Sequence, residues 1–229
     1  PADTRVDLIG HDWGAALGWW VATNHAEHLR SWTAISVPHP RAWARFLELD
    51  AEQKKRASYQ DALARPGVAA ALAGLPRGRL GAIYRAELVH PEVLTDEHLD
   101  VYARTFRHAS DWRPPLRYYQ QLKRDRAATA DVLASAGPVP LPVLLLWGEK
   151  DSYLYPRQAP LSCEEVVPGP CEVEVFAEAG HWVQWDQPDR VVSRWRGFVD
   201  TLDLAEEEAR EAAGAAPPAP PPTLLEAPP

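Results

Sequence analysis

Three residues in this sequence have the types and positions needed for covalent hydrolysis: Asp12, Asp151 and His181. A carboxylate can attack a saturated carbon and form an ester, and a histidine held by a second carboxylate can activate the water that breaks it. Asp12 lies between Gly10 and Gly14, the spacing of a nucleophile elbow with aspartate in place of the usual serine. The pattern predicts chemistry that passes through an ester on Asp12, with His181 as the base and Asp151 orienting it.

Each candidate residue directly follows a segment with the composition of a buried strand. The segments are residues 6–9 before Asp12, 141–147 before Asp151 and 172–178 before His181. The carboxyl ends of parallel strands meet at one edge of a sheet, so we expect the three side chains to lie together. We expect both elbow glycines to be required because a Cβ at either would collide with the neighbouring strand or helix. The backbone N–H of Trp13, at the start of a helix over residues 15–25, is expected to stabilise an oxyanion.

The remaining segments indicate an α/β fold interrupted by a helical insertion. A strand over residues 31–37 completes a βαβ unit and predicts parallel pairing. Helical segments follow at residues 41–50, 51–64, 68–73, 96–109 and 114–126, and a last helix covers 188–202. We therefore divide the chain into a core (residues 1–40), a helical lid (41–138), a second core part (139–202) and a tail (203–229). The tail is acidic, where it can extend the last helix, and then proline-rich, where we expect disorder.

Composition excludes several classes of function. The 229 residues carry a net charge of −8, which argues against a nucleic-acid partner, and no apolar run is long enough to span a membrane. The sequence shows no signal peptide, no cluster of metal ligands and no cofactor motif. Cys163 and Cys171 suggest free thiols in a reducing compartment and a cytoplasmic location, with a disulfide between them as the alternative. The residues do not indicate an oligomeric state.

The Asp12 elbow together with Asp151 and His181 resembles the epoxide hydrolase branch of the α/β-hydrolase superfamily, which also contains haloalkane and fluoroacetate dehalogenases. The resemblance covers residues 6–198 and implies a partial α/β-hydrolase fold with a helical lid. It also implies a small apolar epoxide or alkyl halide as substrate and no cofactor.

Two lid tyrosines follow from the resemblance, because family epoxide hydrolases use a tyrosine pair to bind the epoxide oxygen. Tyr59 precedes Pro66-Gly67 at the family spacing, and Tyr119 ends the aromatic pair of residues 118–119. Phenols with a pKa near 10 are good hydrogen-bond donors to a developing alkoxide, which dehalogenation does not require.

Departures from the family pattern leave alternatives open. No His-Gly dipeptide is present, although the family's His-Gly-X-Pro loop donates the second oxyanion N–H, and the first family strands are missing. We therefore expect an N-terminally truncated piece of a longer protein, with the elbow strand at a bare sheet edge and with low stability and activity. The alternatives are a haloalkane or haloacid dehalogenase on the same Asp-His-Asp core, an inactive relative, or a scaffold whose proline run at residues 217–222 recruits partners.

Overall fold

The computed structural model describes residues 5–214, and its centre is a parallel sheet with the strand order β1-β2-β3-β4. The strands are β1 (Val6–His11), β2 (Leu29–Ile35), β3 (Val143–Gly148) and β4 (Cys171–Phe176). Each neighbouring pair is parallel. This confirms the predicted α/β architecture. The proline-rich part of the predicted tail lies outside the described residues.

Helices surround the sheet and form the whole insertion between β2 and β3. Helix α1 (Trp13–Asn24) connects β1 to β2, and α10 (Gln158–Val166) connects β3 to β4. The insertion, called the lid below, contains α2 (Pro40–Leu49), α3 (Ala51–Arg56), α4 (Tyr59–Leu63), α5 (Val68–Ala73), α6 (Arg77–Ala86), α7 (Asp96–Thr105), α8 (Ala109–Arg124) and α9 (Arg126–Ser135). After β4 come α11 (Val183–Asp186) and α12 (Pro188–Ala212). Across residues 5–214, no helix has the length and apolarity that a membrane span requires.

The central strand β3 is apolar along its full length because both of its faces are covered. Successive side chains of a strand point to opposite faces, so Val143, Leu145 and Trp147 join one core cluster, with Trp19 and Trp32. The intervening side chains join the second cluster, which is formed by Ile35, Leu144, Leu146, Phe176, Ala179, Val183, Val191 and Phe198. Burial on both sides fixes the end of β3, and with it the position of Asp151.

The elbow strand β1 lies at the edge of the sheet, as the sequence analysis predicts. Val6 and Ile9 are about half exposed, at 51% and 44%, and Leu17 and Trp20 of α1 are also exposed. Strand β1 is paired only with β2 among the described residues. Its outer backbone groups and these apolar side chains form an open edge.

Three local expectations are corrected by the structure. Residues 51–64 form two helices rather than one, and the break places Tyr59 at the start of α4. Helix α8 begins at Ala109 rather than at residue 114, because the side chain of Asp111 accepts a hydrogen bond from the His108 N–H and caps the earlier start. Cys163 and Cys171 form a disulfide rather than two free thiols.

The expected extension of the last helix into the acidic start of the tail is confirmed. Helix α12 continues past residue 202 to Ala212.

Candidate active site

Asp12 occupies a strained turn between β1 and α1. Its φ of 50° and ψ of −125° lie in a region that side-chain-bearing residues rarely adopt, and such strain is concentrated at functional sites. A Cβ on Gly10 would lie 2.8 Å from the carbonyl oxygen of Gly14, so Gly10 is required by close approach. A Cβ on Gly14 would have no atom within 4 Å. The expected collision at Gly14 is therefore wrong, because Gly14 is the second residue of α1 and its Cβ position faces open space.

His181 lies between the two candidate carboxylates. Its Nδ1 is 2.9 Å from Oδ2 of Asp151, and its Nε2 is 3.8 Å from Oδ2 of Asp12. The Asp151 side chain is fully buried, whereas that of Asp12 is 34% exposed. The other Asp151 oxygen accepts hydrogen bonds from the N–H groups of Tyr153 and Leu154, at 2.8 and 2.9 Å. The structure thus brings together the three residues that the sequence separates by up to 169 positions.

The charges of the two carboxylates control the imidazole of His181. Burial lowers the pKa of His181, but the charge of Asp151 and the nearby carboxylate of Asp12 outweigh burial and raise it to about 10. Burial raises the pKa of Asp12, but His181 and the Trp13 N–H overcome that effect and hold it below its usual value. Asp12 is therefore an anion beside an imidazolium at neutral pH. The Trp13 N–H faces the Asp12 carboxylate, as an oxyanion donor at this position requires.

Both lid tyrosines lie close to the elbow. The rings of Tyr59 and Tyr119 are 6.0 Å apart, and the Tyr119 ring is 5.5 Å from that of Trp13 in an edge-on arrangement. Burial raises the pKa of both phenols above the usual value, and the negative charge of Asp12 adds to the effect. Both therefore remain protonated donors. The neighbouring Tyr118 is 51% exposed, and its ring stacks on that of Trp13 at 4.7 Å.

A small apolar cavity of about 120 Å³ contains the Asp12 carboxylate. Tyr59 and Trp13 line it together with Ala16, Val37, Pro38, Pro40, Trp43, Gln60, Leu122, Leu133 and Leu154. A second cavity, of about 480 Å³, includes Tyr119 and shares Trp43, Gln60, Leu122 and Leu133 with the first, which is called the inner cavity below. The two cavities therefore meet along this shared wall, and the inner one is lined mainly by carbon.

Two residues that were not candidates from the sequence alone belong to the site. His11 precedes Asp12, and its Nε2 is 2.9 Å from the carbonyl oxygen of His181. Burial lowers the pKa of His11 to about 4, and the nearby His181 adds to the effect, so the ring is neutral and donates this bond. Tyr153 packs edge-on between Tyr59 and His181, with ring centroids 4.8 and 5.1 Å away. Its position two residues after Asp151 is the sequence feature that could have marked Tyr153 as a site residue.

The base loop, which joins β4 to α11, is held by a buried carboxylate that also reaches the lid. Oδ2 of Asp186 accepts a hydrogen bond from the N–H of Gly180 at 2.8 Å. Its Oδ1 accepts from the N–H groups of Val89 and His90, both at 2.9 Å. Asp186 therefore ties the loop that carries the candidate base to the lid. No cluster of three or more His, Cys, Asp or Glu in the described part of the chain could hold a metal ion.

Known proteins similar to this chain include epoxide hydrolases. Epoxide hydrolase 2 of Caenorhabditis elegans is 30% identical over 82% of this chain and 52% of its own length. Epoxide hydrolase 3 of Xenopus tropicalis is 28% identical over 86% of this chain and 53% of its own length. The crystal structure of an epoxide hydrolase variant from Bacillus megaterium has a TM-score of 0.72 and 24% identity, covering 86% of this chain and 70% of that one.

These similarities establish the fold family of the chain. The chain spans about half the length of the curated relatives it matches. At 24% identity, the solved structure supports the shared fold alone. The model of the alpha/beta hydrolase fold family matches residues 2–188, most of the chain. The chain therefore belongs to the alpha/beta hydrolase fold family, in which its curated relatives include epoxide hydrolases.

Proposed function

We propose that this protein is a hydrolase that opens epoxides to vicinal diols through an alkyl ester on Asp12. The observation that carries the proposal is the small cavity lined by both Asp12 and Tyr59, with the ring of Tyr119 6.0 Å from that of Tyr59 and Nε2 of His181 3.8 Å from the Asp12 carboxylate. A nucleophile, a donor for the leaving oxygen and a base for water are the groups that ester formation and ester hydrolysis need.

In the first step, an Asp12 oxygen attacks an epoxide carbon and the carbon–oxygen bond of the ring breaks. The released oxygen accepts hydrogen bonds from Tyr59 and Tyr119 and takes a proton from one of them, which leaves a tyrosinate. The raised pKa of both phenols keeps them protonated before the reaction. The product of this step is a hydroxyalkyl ester of Asp12.

Before the second step, the His181 imidazolium gives its proton to the tyrosinate, which restores the phenol and leaves a neutral imidazole. In the second step, neutral His181 takes a proton from water, and the resulting hydroxide attacks the ester carbonyl. The Trp13 N–H stabilises the oxyanion that forms. Collapse releases the second diol oxygen and restores Asp12 as a carboxyl group. The diol oxygen then takes the proton of this carboxyl group, and His181 is left as the imidazolium of the free protein. The sum is one epoxide and one water converted to one diol.

Ester formation itself prepares His181 for the second step. In the free protein the anionic Asp12 contributes to the raised pKa of His181. The ester carries no charge, so its formation removes that contribution and increases the fraction of neutral imidazole. His181 would thus become a base at the stage at which a base is needed.

The same core also supports a second function, displacement of halide from a haloalkane or haloacid. Asp12, His181 and Asp151 would carry that reaction unchanged, and the Trp13 indole would face the halide. The two partly buried phenols favour the epoxide reaction, because a leaving halide ion needs no proton. The apolar lining of the inner cavity supports a small apolar substrate in either case.

The cellular setting stays a prediction from the sequence. A net charge of −8 argues against nucleic-acid binding. The Cys163–Cys171 pair removes the free-thiol argument for a cytoplasmic location.

The test is the intact mass of the His181→Gln variant after separate exposure to styrene oxide and an alkyl bromide. Without the base, the ester should accumulate as an added mass that maps to the peptide containing Asp12. An adduct from the epoxide supports the proposal, and an adduct from the bromide alone favours the dehalogenase. No adduct from either compound would contradict both and favour a catalytically inactive relative.

A double variant, Tyr59→Phe with Tyr119→Phe, separates the two reactions. Loss of both donors should abolish epoxide turnover and leave bromide displacement intact. Tyr118→Phe is the matched control, because this neighbouring phenol is exposed and its ring stacking on Trp13 survives the change. Epoxide turnover that survives in the double variant would contradict the assigned role of the tyrosines.

A further inference from the structure

The loop that carries Asp151, residues 151–157, is hydrogen-bonded to a lid helix. Gln53 of α3 donates from Nε2 to the carbonyl oxygen of Tyr153 at 2.8 Å. Its Oε1 accepts from the N–H of Tyr155 at 3.1 Å and from Nε2 of Gln158 at 2.8 Å. One side-chain amide therefore satisfies a backbone acceptor and a backbone donor on the same loop. We call residues 151–157 the acid loop below.

Gln53 is an unusual lid residue because its side chain is fully buried. Lid residues on either side of it, Glu52 and Lys54, are exposed. The start of α3 is fixed by Asp50, whose Oδ1 accepts from the N–H groups of Glu52 and Gln53 at 2.9 and 3.0 Å. The backbone of Gln53 is thus held at the helix cap while its amide group reaches the acid loop.

Arg56, one helical turn after Gln53, strengthens the same contact. Its Nη1 donates to the carbonyl oxygen of Asp151 at 2.6 Å, and its guanidinium lies 3.9 Å from the ring centre of Tyr155. Helix α3 therefore binds the backbone of the acid loop at Asp151, Tyr153 and Tyr155. The N–H of Tyr153 in turn donates to the Asp151 carboxylate, so the path from Gln53 to that carboxylate is a single residue long.

We propose that Gln53 is a positioning residue that holds the Asp151 carboxylate in register with His181, so that docking of the lid completes the triad. The proposal rests on the function proposed above. It goes further because it makes a lid residue with no contact to substrate necessary for ester hydrolysis. Loss of the Gln53 amide would leave buried donors and acceptors of the acid loop without partners, and the loop would move to satisfy them.

The two chemical steps should respond differently to this change. Asp12 attacks the epoxide without help from Asp151, whereas ester hydrolysis needs His181 oriented by Asp151. We expect Gln53→Leu to slow ester hydrolysis on the order of 100-fold, as a misplacement of about 1 Å can do, while ester formation keeps its rate. The Asp12 ester would then accumulate in a protein that still carries its base.

The experiment measures both rates by quenched-flow mass spectrometry with styrene oxide, and the pKa of His181 by NMR, in the wild-type protein and in Gln53→Leu. Selective loss of hydrolysis together with a lower pKa of His181 would support the proposal. Equal slowing of both steps, or an unchanged pKa of His181, would overturn it. A wild-type protein that forms no ester would instead contradict the proposed function, and the NMR comparison would still decide the role of Gln53.

Two further variants keep the test decisive. Gln53→Glu retains the acceptor for Tyr155 and Gln158, but it replaces the donor to Tyr153 with an oxygen and adds a buried charge. This variant is therefore judged by the two reaction rates and not by the pKa of His181. If Gln53→Leu does not fold, selective slowing of hydrolysis in Gln53→Glu supports the proposal and equal slowing overturns it. Gln120→Leu, an exposed glutamine of lid helix α8, is the matched control and should behave as wild type.

Discussion

The charge of Asp12 should be measurable through the titration of His181. Asn in place of Asp12 has the same shape as the carboxylate and, like the proposed ester, carries no charge. We therefore expect Asp12→Asn to lower the pKa of His181 from its value of about 10. Asp151 remains in this variant, so the pKa should stay above the usual value of 6.5.

The size of the change follows from the distance between Asp12 Oδ2 and His181 Nε2, which is 3.8 Å. Two unit charges about 4 Å apart interact by about 4 kcal/mol at an effective dielectric constant of about 20, and by about 1 kcal/mol in water. Because the Asp12 side chain is 34% exposed, solvent screens part of this interaction. At about 1.4 kcal/mol per pKa unit, we expect a fall of about one to two units.

The assay is an NMR titration of the imidazole resonances, with His181 assigned by comparison with His181→Gln. Asp200→Asn is the control, because this exposed carboxylate lies on α12 and its removal should leave the titration unchanged. An unchanged or higher pKa of His181 in Asp12→Asn would refute the charge coupling. The idea that ester formation prepares the base would then fail with it.

Three further substitutions test parts of the fold. Burial lowers the pKa of His39 to about 4, so His39 contributes stability above its unfolded pKa of 6.5 that is lost as the pH falls toward 4. His39→Asn keeps an acceptor for the N–H of Arg41. Between about pH 7.5 and about pH 5, the free energy of unfolding should fall by about 2 kcal/mol less in this variant than in the wild type, as measured by urea unfolding. Gly18→Ala should lower the free energy of unfolding by about 1–3 kcal/mol, and with it the melting temperature, because its Cβ would lie 2.0 Å from the buried Trp32 ring. Asp186→Asn should cost about 2 kcal/mol and increase hydrogen exchange at residues 89–90, because a charged acceptor is lost.

Each of these three predictions can be contradicted by one result. Equal acid sensitivity of His39→Asn and wild type would show that folding does not lower the pKa of His39. A Gly18→Ala variant as stable as wild type would mean that Trp32 can move. Unchanged exchange at residues 89–90 in Asp186→Asn would show that the lid does not depend on that carboxylate.

The parts of the site that are local in sequence could be predicted from it. Gly10 and Asp12 identify the elbow because the turn requires both a missing Cβ and an unusual backbone conformation. Asp151 and His181 follow because each comes directly after an apolar strand segment, and parallel strands bring such positions to one edge. In each case the residues next to the candidate are sufficient to explain why it reaches the site.

The parts that depend on distant contacts could not be predicted in the same way. Gln53 is separated from Tyr153 by 100 positions, and nothing in its neighbourhood distinguishes it from an exposed lid glutamine. Asp186 has the appearance of an ordinary acidic residue before a helix, yet it holds the lid. The Cys163–Cys171 pair could not be chosen over free thiols because the pairing depends on how α10 packs against β4.

The central claim, that Asp12 forms an ester which water then hydrolyses, can be tested by a single turnover in water enriched in oxygen-18. With the protein in excess over styrene oxide, attack of water on the ester carbonyl places the label in the carboxylate of Asp12. We predict label in the peptide that contains Asp12 and none in the first diol formed. Label in that diol, with an unlabelled Asp12, would contradict the account, because water would then have attacked the epoxide directly.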